Sequence, residues 1–175
     1  LIENFIEPYH VQFVHKTTTN QPLKDHYTFV NGKCYGSGID VENEDHKNDS
    51  ALSVTSRYLS LFPNFIIGTY FPNQVGVYLN VPISPSLTSQ KRIIYTTDGK
   101  HMSKKEIQTT KDIWWSVHKE DHEMCERLQE GRSSPAASNG GLLSPVWEKG
   151  VQAFQKLIID SITKSLKTTK RVKNV

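Results

Sequence analysis

The chain has 175 residues and a mass of 19.9 kDa, the size of one ordinary domain. Lys and Arg number 21 against 18 Asp and Glu, a formal charge of +3 with much of the excess in residues 164–173, so general polyanion and nucleic-acid binding are set aside. Its two cysteines, Cys34 and Cys125, lie far apart in no C-x-x-C or C-x-H context, which excludes a disulfide scaffold, a Cys-ligated zinc site and any iron–sulfur cluster held by this chain alone.

Residues 3–16 carry Phe5, Ile6, Tyr9, Val11, Phe13 and Val14, dense enough for a helix packed on most sides, with Pro8 marking a first turn or a kink. His26–Val30 and Lys33–Ser37 read as a β-hairpin turning at Asn31-Gly32, the pair that accepts positive φ. Residues 40–50 hold five acids and no large apolar side chain except Val41, the composition of a surface loop. Four strand-like runs follow, Ser53–Phe62, Phe65–Phe71, Val75–Val81 and Lys91–Thr97, separated by Pro- and Asn-containing punctuation. Their close spacing predicts an antiparallel meander.

The last third changes period. Ile107, Ile113, Trp114, Val117, Met124, Cys125 and Leu128 recur at near-helical spacing, predicting a long helix from Ser103 to Gln129 closed by Gly131. A Ser/Pro/Gly-rich loop, 133–145, leads to a last helix, Val146 to about Leu166, whose stripe is Trp147, Val151, Phe154, Leu157, Ile158 and Ile162. The basic residues 167–175 read as a solvated, frayed tail. No apolar run approaches the roughly 20 residues that span a bilayer, so the chain is expected to be soluble and cytoplasmic, with no membrane partner. It begins without an initiator Met, so the lack of a signal peptide carries no weight.

Glu7, His10, His15 and Asp121 are the residues that bear on chemistry. Two histidines five apart do not stack on one face of an ideal helix, so this is not the zinc-protease pattern. Both could still meet one ion if the second sat at a distorted helix end, and two imidazoles with one carboxylate form the facial arrangement that suits Fe(II) reacting with O2.

The text around them is specific. ENFIEPYHVQFVH at 3–15 resembles the iron-site helix of Rieske-type non-haem iron oxygenases, E-N-x-x-[DE]-x-Y-H-x-x-x-x-H, in which Glu3, Asn4, Glu7, Tyr9, His10 and His15 all fall on the pattern. WWSVHKEDHEMCERLQEG at 114–131 resembles that family's segment in which a carboxylate precedes an E-x-x-Q-x-G run, and Leu61-Phe-Pro-Asn64 its strand start. The resemblance implies an α+β helix-grip (START-like) catalytic domain over residues 1–166, a curved antiparallel sheet around a long C-terminal helix.

By that resemblance His10, His15 and Asp121 hold a mononuclear Fe(II). Glu7 is the bridge to a His of a neighbouring Rieske [2Fe-2S] cluster, and Asn4 supports the site by hydrogen bonding. Glu120, next to Asp121, is expected at the surface, as are His118 and His122, while His26, His46 and His101 are assigned no role. Tyr58, Asn64, Tyr78, Tyr95 and Trp115 are the candidate pocket residues. The C-x-H and C-x-x-H ligands of the cluster are missing from the sequence, so the cluster is expected upstream in the same polypeptide or on another chain. The family implies O2 as co-substrate, electrons from NAD(P)H through a reductase or ferredoxin, and a homotrimer. The expected activity is hydroxylation or demethylation of a small organic substrate, monooxygenation before dioxygenation, with a nitrogen-rich or cationic compound suiting the acidic loop. The alternative from another class is a non-catalytic hydrophobic-ligand carrier of the same fold, which predicts a wholly apolar cavity.

Overall fold

The computed structural model describes residues 1–19, 21–40, 55–70 and 73–172; most of the acidic loop, from residue 41 on, lies outside them. The chain opens with two four-residue helices, α1 (Ile2–Phe5) and α2 (Val11–Val14), where one helix is predicted. Pro8 cannot donate to a helical ladder, and the Ile6–His10 break that contains it lets the chain turn, with Pro8 itself fully buried.

A short 3-10 turn at Leu23–Asp25 leads into six strands, β1 (His26–Asn31), β2 (Cys34–Ile39), β3 (Ser56–Leu61), β4 (Phe65–Tyr70), β5 (Gln74–Ser84) and β6 (Leu87–Thr96). They pair in chain order, every neighbour antiparallel, the expected meander. Asn31 pairs with Cys34, so the first turn is Gly32-Lys33, one residue later than predicted, with Gly32 supplying the positive φ of 61°. Residues 82–84 are strand rather than punctuation: β5 and β6 run on past a register shift between Pro82 and Ser84 and turn at Pro85-Ser86. There β5 is exposed, and a proline is tolerated at such an irregularity.

Helix α3 (Lys104–Arg132) begins with a capping box in which Ser103 and Glu106 satisfy each other's backbone N–H groups. Gly131 does not close it; the helix carries through to a cap at Ser133 in a right-handed conformation. Helix α4 (Lys149–Val172) starts later and ends beyond the predicted Leu166, so the basic segment is helical to Val172.

Period-2 alternation sends Ile66 and Tyr70 of β4, Tyr78 of β5 and Tyr35 of β2 to one face of the sheet, where they form the core with Phe5, Ile6, Trp114 and Val151. Helix α4 lies on β1 and β2, with Phe154 ring-packed on Tyr35 and Phe62. The other end of that face is covered by α3, whose buried residues Trp114, Val117 and Asp121 recur at intervals of three and four, one stripe of a 3.6-residue helix. The N-terminal segment fills the gap between the two helices. Glu3 ties it down, accepting from Arg132 of α3 at 2.5 Å and Gln155 of α4 at 2.8 Å. Ile162, by contrast, is 56% exposed, because α4 has by then run past the sheet. Among the described residues no helix is long and apolar enough to cross a membrane.

Candidate metal centre

His10 and His15 stand at the two ends of α2, as its first and last flanking residues. His10 keeps a right-handed helical conformation, whereas His15, with φ −93° and ψ 37°, has left the helical frame, and that departure lets a five-residue spacing bring two rings together. Their centroids are 5.3 Å apart and their planes cross at 75°. From α3 the Asp121 carboxylate rises between them, Oδ1 lying 3.0 Å from His15 Nε2 and 3.7 Å from His10 Nε2. One ligand atom from each residue lies within 4.8 Å of those of the other two, and His15 and Asp121 are buried.

The outer ring atoms are committed elsewhere. His10 Nδ1 meets Glu7 Oε1 at 2.5 Å and His15 Nδ1 meets Glu120 Oε2 at 2.7 Å, so each imidazole has a carboxylate holding its proton on Nδ1 and turning Nε2 toward the common point. Asn4 Nδ2 donates to Asp121 Oδ1 at 2.9 Å. Burial pushes the His15 imidazole down, but hydrogen bonds and charge from Asp121 and Glu120 outweigh it, and its pKa stands above the ordinary value. For Asp121 burial acts upward; His15 by hydrogen bond and charge, then His10 and Asn4, outweigh it and hold the carboxyl below the usual range. Two imidazole nitrogens and one carboxylate oxygen, each oriented by a second group, fit an octahedral ion that keeps open positions.

The donors face a cavity of about 60 Å3 whose lining includes Asn4, His26, Tyr58, Tyr70, Arg92 and Trp114. It is polar at its centre rather than wholly apolar. Tyr58 is the predicted pocket residue that reaches it. Tyr78 lies fully buried beside Tyr70, hydroxyl to hydroxyl, outside the lining. Asn64 belongs to the β3–β4 turn, where its carbonyl accepts from Asn80. Tyr95 is 53% exposed, because β6 directs Gln90, Arg92, Ile94 and Thr96 inward and the intervening residues outward. Trp115, 68% exposed, is one residue off the buried stripe of α3 and lines a different, wider cavity.

Glu120 corrects the expectation of a surface residue. Besides His15 it accepts from the hydroxyls of Thr17 and Thr18 at 3.1 and 2.7 Å, tying α3 to the end of α2. His26 also has a structural place: buried, it bonds the Pro22 carbonyl through Nδ1 at 3.0 Å, and burial lowers its pKa. His118 is half-buried and pushed down by burial and by the charge of Arg92, while His122 stays exposed and paired with Glu126 at 3.2 Å. The strand alternation around Arg92-Ile93-Ile94 was the one available signal for Arg92, and a lone arginine in it reads as an outward residue.

Comparison with known proteins identifies the family. Residues 1–164 match the family described as ring hydroxylating alpha subunit (catalytic domain). The choline monooxygenase, chloroplastic, of Atriplex hortensis is 27% identical over 154 residues, covering 87% of this chain and 34% of that protein. Its counterpart from Spinacia oleracea is 26% identical over 158 residues, covering 87% and 35%. Two crystal structures of the quaternary ammonium Rieske monooxygenase CntA share the fold. The complex with inhibitor MMV12 has a TM-score of 0.68 at 14% identity, covering 90% of this chain and 44% of that one. The complex with gamma-butyrobetaine has 0.63 at 15%, covering 90% and 42%. The chain thus spans about a third of the length of the choline monooxygenases it matches. With the family matched over nearly its whole length, this chain belongs to the ring-hydroxylating alpha subunits, as their catalytic domain.

Proposed function

We propose that this chain is the oxygen-activating domain of a Rieske-type non-haem iron monooxygenase, with a helix-grip fold and a small nitrogen-bearing, quaternary-ammonium type of substrate. The observation that carries the reading is the convergence of His10 Nε2, His15 Nε2 and an Asp121 oxygen within 4.8 Å, with both imidazoles held from behind by Glu7 and Glu120. A mononuclear Fe(II) bound there supplies the activation of O2 and the insertion of one oxygen atom into a C–H bond of the substrate.

The chain's own residues prepare that chemistry. Glu7 and Glu120 keep the proton on Nδ1 of each histidine, leaving the Nε2 lone pairs free to ligate. Asn4 donates to Asp121 Oδ1, the oxygen that lies between the two imidazoles, and so fixes the carboxylate in the ligating position. Tyr58, Tyr70 and Trp114 line the cavity with rings and limit the water it can hold. Glu7 faces a second cavity that also takes in Tyr9, Phe13 and Leu128, all of them exposed apolar residues. Such a patch around a carboxylate bonded to a metal-site histidine suits electron delivery from a Rieske [2Fe-2S] cluster on another segment or on a neighbouring copy in a homotrimer. That cluster would be fed from NAD(P)H by a reductase or ferredoxin.

The test is anaerobic Fe(II) loading followed by metal analysis. About one iron per chain is expected, and Asp121→Ala is expected to hold little or none while keeping the wild-type circular dichroism. Wild-type iron content in Asp121→Ala would refute the reading.

A further inference from the structure

The cavity at the histidines is too small for an organic substrate: about 60 Å3 admits only a few waters, whereas ligand pockets run from about 300 to 1,000 Å3. Beside it lies a second cavity of about 650 Å3 between β6 and α3, lined by Ile94, Ile107, Trp115 and His118 among others. Arg92 and Trp114 line both. They form the wall between the metal centre and this wider cavity.

Arg92 is an unusual wall. It stands opposite Tyr78 across the β5–β6 pair, with its guanidinium 4.6 Å from the Tyr78 ring centre and 4.8 Å from that of Trp114. Nη2 donates to the Tyr78 hydroxyl at 2.9 Å, and Nε is buried without a hydrogen-bond partner. Among the described residues no carboxylate comes within ion-pair distance of it. The neighbouring phenols of Tyr58, Tyr70 and Tyr78 cannot serve as counter-ions, because burial raises the pKa of each. A guanidinium held this way has donors to spare and lacks the anion that would offset its desolvation. It also fills the faces of Tyr78 and Trp114 that would otherwise attract a cation.

The geometry points to Arg92 as the recognition site for a carboxylate on the substrate, whose body lies along Ile94, Ile107 and Trp115 in the wider cavity. Resting on the oxygenase reading, the inference narrows its substrate class: a nitrogen-bearing carboxylic acid of betaine type rather than an amino alcohol of choline type.

The experiment compares gamma-butyrobetaine with choline, which share a trimethylammonium head and differ in carrying a carboxylate or a hydroxyl. Binding to the Fe(II)-loaded chain is measured by isothermal titration, with iron content determined on the same samples. Wild type is expected to bind gamma-butyrobetaine about tenfold to a hundredfold more tightly than choline, the range of a charge-assisted hydrogen-bonded pair. Arg92→Met should erase that preference while retaining iron and its affinity for choline, and Arg92→Lys should keep part of it. Equal affinities in wild type, a preference that survives in Arg92→Met, or no saturable binding of gamma-butyrobetaine to iron-loaded chain would overturn the inference and leave the metal centre standing. Failure of wild type to hold iron would instead overturn the oxygenase reading.

Discussion

Glu120 offers the most direct test of how the metal centre is held. Its carboxylate accepts the His15 Nδ1 proton at 2.7 Å while also taking the Thr17 and Thr18 hydroxyls, so Glu120→Gln keeps the shape and removes the charge. A hydrogen bond to a charged acceptor contributes about 1.5–3 kcal/mol and one to a neutral acceptor about 0.5–1.5 kcal/mol. The difference is about 1–1.5 kcal/mol, and because the Glu120 side chain is 24% exposed the lower end applies. At 1.4 kcal/mol per factor of ten, Fe(II) affinity should fall by about fivefold. Glu120→Ala, which removes the acceptor altogether, should cost about 10- to 100-fold, the usual range for groups that orient metal ligands. The assay is anaerobic competition against a chromogenic chelator, with melting of the iron-free chain recorded in parallel to separate affinity from stability. If both variants bind Fe(II) as tightly as wild type while His15→Ala does not, the idea that Glu120 sets the His15 tautomer is refuted.

Two further predictions concern the scaffold. A Cβ on Gly36 would lie 1.8 Å from the Tyr58 carbonyl oxygen and 2.8 Å from Phe29 Cζ, so Gly36→Ala must push β2 from β3 and should cost about 3 kcal/mol; the melting temperature should drop by about 6–12 °C, and a drop within about 2 °C would contradict the packing. His26 is buried with its pKa lowered from 6.5, so below about pH 6.5 the unfolded chain takes up a proton that the folded chain refuses, and the stability this group contributes is lost as pH falls toward the folded value. His15, with its pKa raised, works in the opposite direction. Comparison with His26→Gln isolates the first effect: urea midpoints of the iron-free proteins at about pH 7.5 and 5.5 should show wild type losing more stability, or gaining less, than the variant. An identical pH response in the two would count against a neutral buried His26.

The sequence by itself determined those features that depend on neighbours along the chain. The six-strand meander follows from alternation and turn residues, and α3 and α4 from helical periodicity. The grouping of His10, His15 and Asp121 was legible through the resemblance of two distant segments to one family pattern, and periodicity set Asp121 on the same stripe as Trp114 and Val117. What the tertiary structure decided was which face of each element meets which neighbour. Glu120 sits about 100° around the helix from Asp121, and only the docking of Thr17 and Thr18 against α3 makes it a partner of His15. On β6 the alternation permits either phase, and hydrophobicity favours Ile93 and Tyr95 inward. The register with β5 instead places Arg92 opposite Tyr78 and leaves Tyr95 outside, because a guanidinium between two aromatic faces is held there by contacts that no local pattern encodes.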